Sequence, residues 1–251
     1  MVEANATDID GTITKVQFYQ NGTYVSEDTT APSWRASFST TTAGSYCFYA
    51  IATDDDGATA TSPTNCITVI APKYVFVTTG YWDGNVGGIT GADQKCNSTS
   101  EIGGTILAGK TFKAWVSNQF NETPKHSPAL DFTHSAAAYK LVDGTLVANN
   151  WTDLVKGNIA HKINITAKNV QVPTGDQHQY VWTNTDYTGN GNTDSSDTSC
   201  WDLTSAGTGW ASVGDSDSAG YTWTGNLHNQ VSPQEDCVGT WYKARLYCFE
   251  Q

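Results

Sequence analysis

From residue 2 to residue 71, apolar and polar positions alternate in short runs broken by Gly, Asn, Asp and Pro. Ile13-Thr-Lys-Val-Gln-Phe-Tyr19 has the period of two expected of a half-buried strand. Asn21-Gly22 then supplies a two-residue hairpin signal before Thr23-Tyr-Val25. Trp34–Phe38, Gly44–Ala52 and Cys66–Ile70 continue the pattern. Strands recurring about every 8–12 residues with turn signals between them predict a β-sandwich over residues 1–71. Ala71-Pro72-Lys73 reads as a linker, after which the texture changes. Tyr74–Thr78, Lys113–Ser117, Tyr139–Val142 and Trp241–Phe249 are further expected strands. Gly91–Asn97 and Asn150–Leu154 read as short helices, and Asp143-Gly144 as a turn. Residues 183–235 are poor in apolar side chains, rich in Gly, Asp, Ser and Asn, and punctuated by large aromatics.

Composition narrows the class. The chain has 251 residues, enough for two domains. Charged residues make up only 15%, so Thr, Ser, Asn and Gly supply most of the polar surface, as in secreted all-β proteins. The net charge of −12 argues against nucleic acid or an anionic membrane as partner, because both require clustered Lys and Arg. No apolar run approaches the roughly 20 residues needed to span a bilayer, so direct membrane insertion is not expected. The opening residues lack the basic and apolar regions of a signal peptide. Val2–Ile9 already reads as a strand running into a turn, and the natural chain is expected to continue upstream of Met1.

Six cysteines divide as Cys47 and Cys66 before Pro72 and Cys96, Cys200, Cys237 and Cys248 after it. An even number in each part, without Cys-x-x-Cys, predicts a disulfide framework rather than a zinc ribbon or a redox motif. An oxidising compartment follows, so the expected location is extracellular or on a cell or virion surface. Sequons at Asn5, Asn21, Asn97, Asn121, Asn150 and Asn164 agree with export. The four later cysteines permit three pairings.

The phrase Ala6–Gly22, with its echo Ala52-Thr-Asp-Asp-Asp-Gly57, resembles bacterial and archaeal immunoglobulin-like repeats of adhesins and surface enzymes, over nearly all of residues 2–70. There such modules are stalks. Cys47 and Cys66 are expected to bridge neighbouring strands, a crosslink worth about 3 kcal/mol by the chain-entropy argument. Further along, Phe76–Thr79, Gly87–Cys96, Lys113–Ser117, Leu141–Leu154, Val181–Thr183 and Ala244–Glu250 resemble a family of unknown function from spirochaetal and myxobacterial surface proteins. That family has a C-type-lectin-like fold, whose first and last strands meet around a long stapled loop region. This plan favours the nested pairing Cys96 with Cys248 and Cys200 with Cys237. The expected fold class is therefore mostly β: an immunoglobulin-like β-sandwich over residues 1–71, followed by a C-type-lectin-like α+β ligand-binding domain over residues 72–251.

A narrower resemblance is to the variable proteins of diversity-generating retroelements, notably archaeal ones, which display a hypervariable C-terminal surface. Asp215–Tyr242 has the Tyr-, Asn-, His- and Asp-rich composition that adenine-directed mutagenesis produces, and it sits in the corresponding place. The residues expected to form the ligand surface are Trp201, Asp202, Tyr221, Asn226, Leu227, His228, Asn229, Gln230, Glu235, Asp236 and Tyr242. Tyr and Trp give much contact area for few rotors, while polar neighbours add adaptable hydrogen bonds. Trp223 and Trp241 are expected to be framework, Trp201 and Tyr221 stand between the two roles, and the polar run Asn226–Gln230 has no core role.

Other chemistry is set aside. The Glu-Pro-Asn or Gln-Pro-Asp and Trp-Asn-Asp triplets that supply calcium ligands in sugar-binding C-type lectins are absent, so calcium-dependent monosaccharide binding is not expected. Asp186, Asn190, Asn192 and Asp194 lie on a Gly-rich turn with oxygen ligands and form a weak calcium candidate; no other cofactor is expected. Asp8-Ile-Asp10-Gly11 and Asp54-Asp-Asp56-Gly57 read first as turns. His126, His134, His161, His178 and His228 lack zinc-hydrolase spacing, and no Gly-x-Ser-x-Gly elbow occurs. The expected function is non-enzymatic: adhesion or recognition of a protein or glycan ligand on another surface. A carbohydrate-active surface enzyme and a structural envelope or capsid decoration are the alternatives.

Overall fold

The computed structural model describes residues 1–40, 42–118, 124–175, 179–191, 204, 212–225 and 243–251. The chain forms two compact units, Met1–Ala71 and Pro72–Gln251. No helix among the described residues is long and apolar enough to cross a membrane.

The first unit is entirely β. Its strands are β1 (Val2–Ala4), β2 (Ile13–Gln20), β3 (Thr23–Asp28), β4 (Trp34–Ala36), β5 (Gly44–Asp54), β6 (Thr59–Thr61) and β7 (Asn65–Val69). One sheet has the order β3-β2-β5-β6, with β7 also paired to β5, while β1 and β4 form a separate antiparallel ribbon. Both contribute to one buried cluster of Val16, Phe18, Trp34, Ala36 and Ala50. Val16 and Phe18 come from alternate positions of β2, and Trp34 and Ala36 from alternate positions of β4, as a two-residue period requires.

Local chemistry fixes the register. Asn21 and Gly22 both take positive φ, 49° and 81°, as the tight β2–β3 hairpin needs. The Asn21 side-chain oxygen also accepts the Cys47 N–H at 2.8 Å, tying the hairpin to β5. Cys47 lies directly opposite Cys66 across β5 and β7, and the two are joined by a disulfide.

The second unit is built around a five-stranded sheet. Its strands are β8 (Lys73–Val77), β9 (Phe112–Ala114), β10 (Tyr139–Lys140), β11 (Leu146–Ala148) and β14 (Tyr247–Glu250), in the order β11-β10-β8-β14-β9. A second ribbon pairs β12 (Tyr180–Trp182) with β13 (Val213–Asp215). Among the described residues it also holds four short helices: α1 (Gly88–Cys96), α2 (Thr99–Ile102), α3 (Pro128–Asp131) and α4 (Trp151–Leu154). The unit's first and last strands lie side by side, with Phe76 opposite Cys248 and Val75 opposite Phe249.

The run Tyr74-Val-Phe-Val77 is apolar on both faces because both faces of the sheet are covered. Phe76 and Cys248 belong to one buried cluster with Ala92, Cys96 and Trp182. Val75, Val77, Tyr247 and Phe249 belong to the other, with Trp115, Leu141 and Trp223. A disulfide from Cys96 on α1 to Cys248 on β14 crosslinks the first cluster. Cys200 and Cys237 lie outside the described residues. Helix α1 begins at Gly88, earlier than the expected Gly91, and Gly91 falls in its first turn, where a Cβ would stand 2.2 Å from the Val86 carbonyl oxygen.

Several expected strands prove shorter than their apolar runs. The Tyr139–Val142 run is strand only over Tyr139–Lys140, because Leu141 already enters the Asp143-Gly144 turn and accepts the Gly144 N–H at 3.0 Å. The C-terminal strand is restricted to Tyr247–Glu250, with Ala244 and Arg245 making only isolated bridges to Trp82 and Val181.

Most sequon asparagines have structural duties. Asn97 accepts the Phe112 N–H at 2.8 Å and donates to the Asp93 and Phe112 carbonyls, Asn150 caps α4 through the Asp153 N–H, and Asn164 is buried. A buried asparagine cannot carry a glycan without unfolding its surroundings.

Candidate ligand-binding surface

Most of the surface expected from the sequence, namely Trp201, Asp202, Asn226, Leu227, His228, Asn229, Gln230, Glu235, Asp236 and Tyr242, lies outside the described residues, as does Trp241. Tyr221 is described, and so is the foundation it stands on.

That foundation is a buried polar belt where β12 meets the end of β9. Ser117 Oγ and Thr185 Oγ1 are hydrogen-bonded at 2.9 Å. Asn184, at a positive φ of 46°, donates from its amide to the Ser117 carbonyl at 3.1 Å. Thr183 donates its hydroxyl to the Thr224 carbonyl, and Thr224 Oγ1 receives the Trp115 indole N–H. All of these residues are buried. Buried polar groups are tolerated when they bond one another, as these hydroxyls and the Asn184 amide N–H do; the Asn184 side-chain oxygen alone in this belt is buried without a partner.

The segment Val213–Gly225 rises from the belt. Within it Tyr221–Trp223 forms one turn of 3₁₀ helix. Trp223 points inward and is fully buried, the framework role expected of it. Tyr221 points outward and is 52% exposed, which places it on the surface side of its two expected roles. Its ring lies over Gly157, where a Cβ would come within 2.2 Å of the ring at a φ of +113°. Glycine at 157 is what allows the ring to lie down.

Beside Tyr221 stands Tyr187, also exposed, with ring centroids 5.1 Å apart in an edge-to-face arrangement. Sequence reasoning did not single out Tyr187. Its position inside the Asp186–Gly191 turn was the available signal. That turn is anchored by Asp186, whose Oδ1 accepts the Thr188 N–H at 2.8 Å, the Thr188 hydroxyl at 2.6 Å and the Asn190 N–H at 3.1 Å. The oxygen proposed as a calcium ligand is therefore engaged in turn chemistry. Asn192 and Asp194 lie outside the described residues. Among the described residues, no three His, Cys, Asp or Glu side chains are grouped so as to hold a metal ion.

The turn packs against the aromatic core, since a Cβ at Gly189 would lie 3.4 Å from both Trp115 and Trp151. Trp151 in turn carries the His134 ring stacked on it at 4.1 Å. Nearby cations are neutralised: Lys156 pairs with Asp153 and Lys162 with Asp217. Close to the pair in the chain are Thr188 and Asn190, which bond each other, and Ser218 and Thr222, which do the same. The outcome is a pair of projecting tyrosines with a neutral hydroxyl- and amide-bearing border on a rigid floor.

A second cluster sits between α1, β9 and α3. Asp93, Lys113, His126 and Asp131 line a cavity of about 220 Å³. His126 Nδ1 is 3.2 Å from Asp131, and Asp93 accepts the Ala114 N–H at 2.8 Å. Burial holds the Asp93 carboxyl above its ordinary value of 3.8; the Ala114 N–H and Lys113 oppose this, Asp131 adds to it, and His126 opposes it. A carboxyl whose folded value is raised contributes stability that is complete below about 3.8 and is lost as pH rises through the folded value. Asp93→Asn keeps the oxygen that receives the Ala114 N–H. It is therefore expected to raise the melting midpoint at pH 7, with the margin over wild type shrinking as the pH falls toward 4. A margin that stayed constant across a thermal-unfolding series from pH 3 to 8 would contradict this assignment.

Comparison with known proteins bears on the first unit. Residues 1–50 match the family described as bacterial Ig domain. A solved structure of Clostridium thermocellum CbhA fibronectin(III)-like modules is 27% identical over 31% of this chain, with a TM-score of 0.23. The match spans 41% of that structure, less than half of its length. No curated protein matches the chain. Within the N-terminal β unit, residues 1–50 therefore carry a bacterial immunoglobulin-like match.

Proposed function

We propose that the chain is a surface-displayed binding protein in which an immunoglobulin-like module accompanies a C-type-lectin-like domain, Pro72–Gln251, that recognises a protein or glycan ligand without turnover. The observation that carries this reading is the Tyr187–Tyr221 pair, exposed above a floor of buried, mutually hydrogen-bonded polar side chains. Tyrosines held this way offer contact area at little entropic cost, the economy found in paratopes. An extracytoplasmic location is supported by the Cys47–Cys66 and Cys96–Cys248 disulfides and by the bacterial immunoglobulin-like match of residues 1–50.

Within this reading, the chain is the diversified variable protein of a retroelement. The support is the composition of Asp215–Tyr242, together with the way Trp223 and Tyr221 divide framework from display two residues apart. A repeat of the 3′ coding region differing at adenines beside a reverse transcriptase gene is the expected genomic companion.

The purified chain is expected to retain ligands from a glycan array or from a library of displayed surface proteins. For such a ligand, replacing Tyr187 and Tyr221 together by alanine should weaken affinity by about tenfold or more. Replacement of Tyr221, Asn226, His228 and Asn229 together should abolish it. Unchanged affinity in both variants would refute the site, and sustained glycan hydrolysis would refute binding without turnover.

A further inference from the structure

The two edges of the first unit's larger sheet are treated differently. Edge strand β3 carries Glu27 and Asp28, with Glu27 paired to Lys15 at 3.2 Å. The opposite edge runs along β6 and β7, and residues 57–72 include no charged side chain at all. Natural sheets blunt free edges with charge, because unpaired N–H and C=O groups are a template for another strand.

The direction of those groups follows from the ladder. Cys47 donates its N–H to the Asn21 side chain and accepts the Asn21 N–H, both at 2.8 Å. Its backbone therefore faces away from β7, which makes Cys47–Cys66 a non-hydrogen-bonded pair. Cys66, and by alternation Thr68, turn their N–H and C=O outward, where no described residue meets them. Ile67 between them is 50% exposed, and Ile70 just beyond is 57% exposed.

We propose that this edge joins a second copy of the chain, β7 against β7 in antiparallel register about a two-fold axis through Ile67. In that register Cys66 stands opposite Thr68 of the second copy, so outward donors face outward acceptors, and the two Ile67 side chains meet. An antiparallel edge is complementary to itself, as a two-fold interface requires. Charge selects the place. A chain of net charge −12 repels its own kind over most of its surface, and this edge is a stretch of sixteen residues (57–72) where it does not. The contact is small, so the dimer is weak and reversible.

Sedimentation velocity on the full chain is expected to show monomer–dimer exchange on the order of 100 µM. Amides of Cys66 and Thr68 should gain hydrogen-exchange protection as concentration rises. Ile67→Lys brings like charges together on the axis and should weaken the dimer at least about tenfold. Thr68→Pro removes only an outward N–H, so it should weaken the dimer while leaving the fold intact. Ile106→Lys, in the second unit, should change nothing. A chain that is monomeric throughout, or a dimer indifferent to both β7 variants, overturns the proposal.

Discussion

Replacing Cys96 and Cys248 together by alanine is expected to destabilise the C-terminal unit by about 5 kcal/mol and lower its melting midpoint by about 10–20 °C. The two cysteines are 152 residues apart, so the crosslink removes much of the unfolded chain's freedom. Both are fully buried, and the alanines would also leave voids beside Phe76 and Ala92. The structural result should be local at first: α1 loses its tie to β14, while the backbone ladder between β14 and β8 remains. The same double replacement at Cys47 and Cys66 closes off only 19 residues and should cost the first unit about 3 kcal/mol. Calorimetry resolves the two units if they melt separately. A midpoint change of only a degree or two in the Cys96/Cys248 variant would show that the crosslink is energetically idle.

Trp115→Ala should cost about 3–5 kcal/mol, the usual consequence of emptying a large buried aromatic site. Trp115 is fully buried, with ring centroids 5.0 Å from Trp223, 5.0 Å from Phe249 and 5.7 Å from Phe132. Its indole N–H also goes to Thr224 Oγ1, the residue after the turn that presents Tyr221. The variant therefore loses packing and a hydrogen bond that orders the display segment. Trp115→Phe separates the effects: it keeps most of the packing but leaves the hydroxyl without its donor, so its loss should be the smaller. Denaturant titration followed by near-ultraviolet dichroism measures both. Equal stability of the alanine variant and wild type would mean that the cluster is not the mechanical centre of the unit.

How much of this was legible in the sequence depends on whether the decisive contacts are local. Asn21-Gly22 announces its hairpin because only residues that accept positive φ at both positions make that turn. Asn150 announces α4 because its side chain can bond the Asp153 N–H three residues on. The alternation in β2 and the apolar run of β8 likewise report which faces are covered. The polar belt could not be read in this way. Ser117 and Thr185 are separated by 68 positions, and nothing near either shows that each will satisfy the other in the interior. Tyr187 escaped for a related reason: an aromatic inside a turn is displayed or hidden according to what packs beneath it, here a turn resting on Trp115 and Trp151. The framework role of Trp223 was legible because a large ring in that region must pack against something, whereas Tyr221 stood between two roles until its 52% exposure was seen.

The adjacency of β8 and β14 has a consequence for how the protein is made. Val75–Val77 leaves the ribosome long before its partner Tyr247–Phe249. Until then the centre of the sheet is an open apolar template, and no partial chain can close it. Pairing across so long a separation is slow. For an exported protein that delay is useful, since a translocation channel takes an unfolded chain. A chain cut before Tyr247 would lack the whole of β14 and leave the second unit's sheet without the strand that joins β8 to β9.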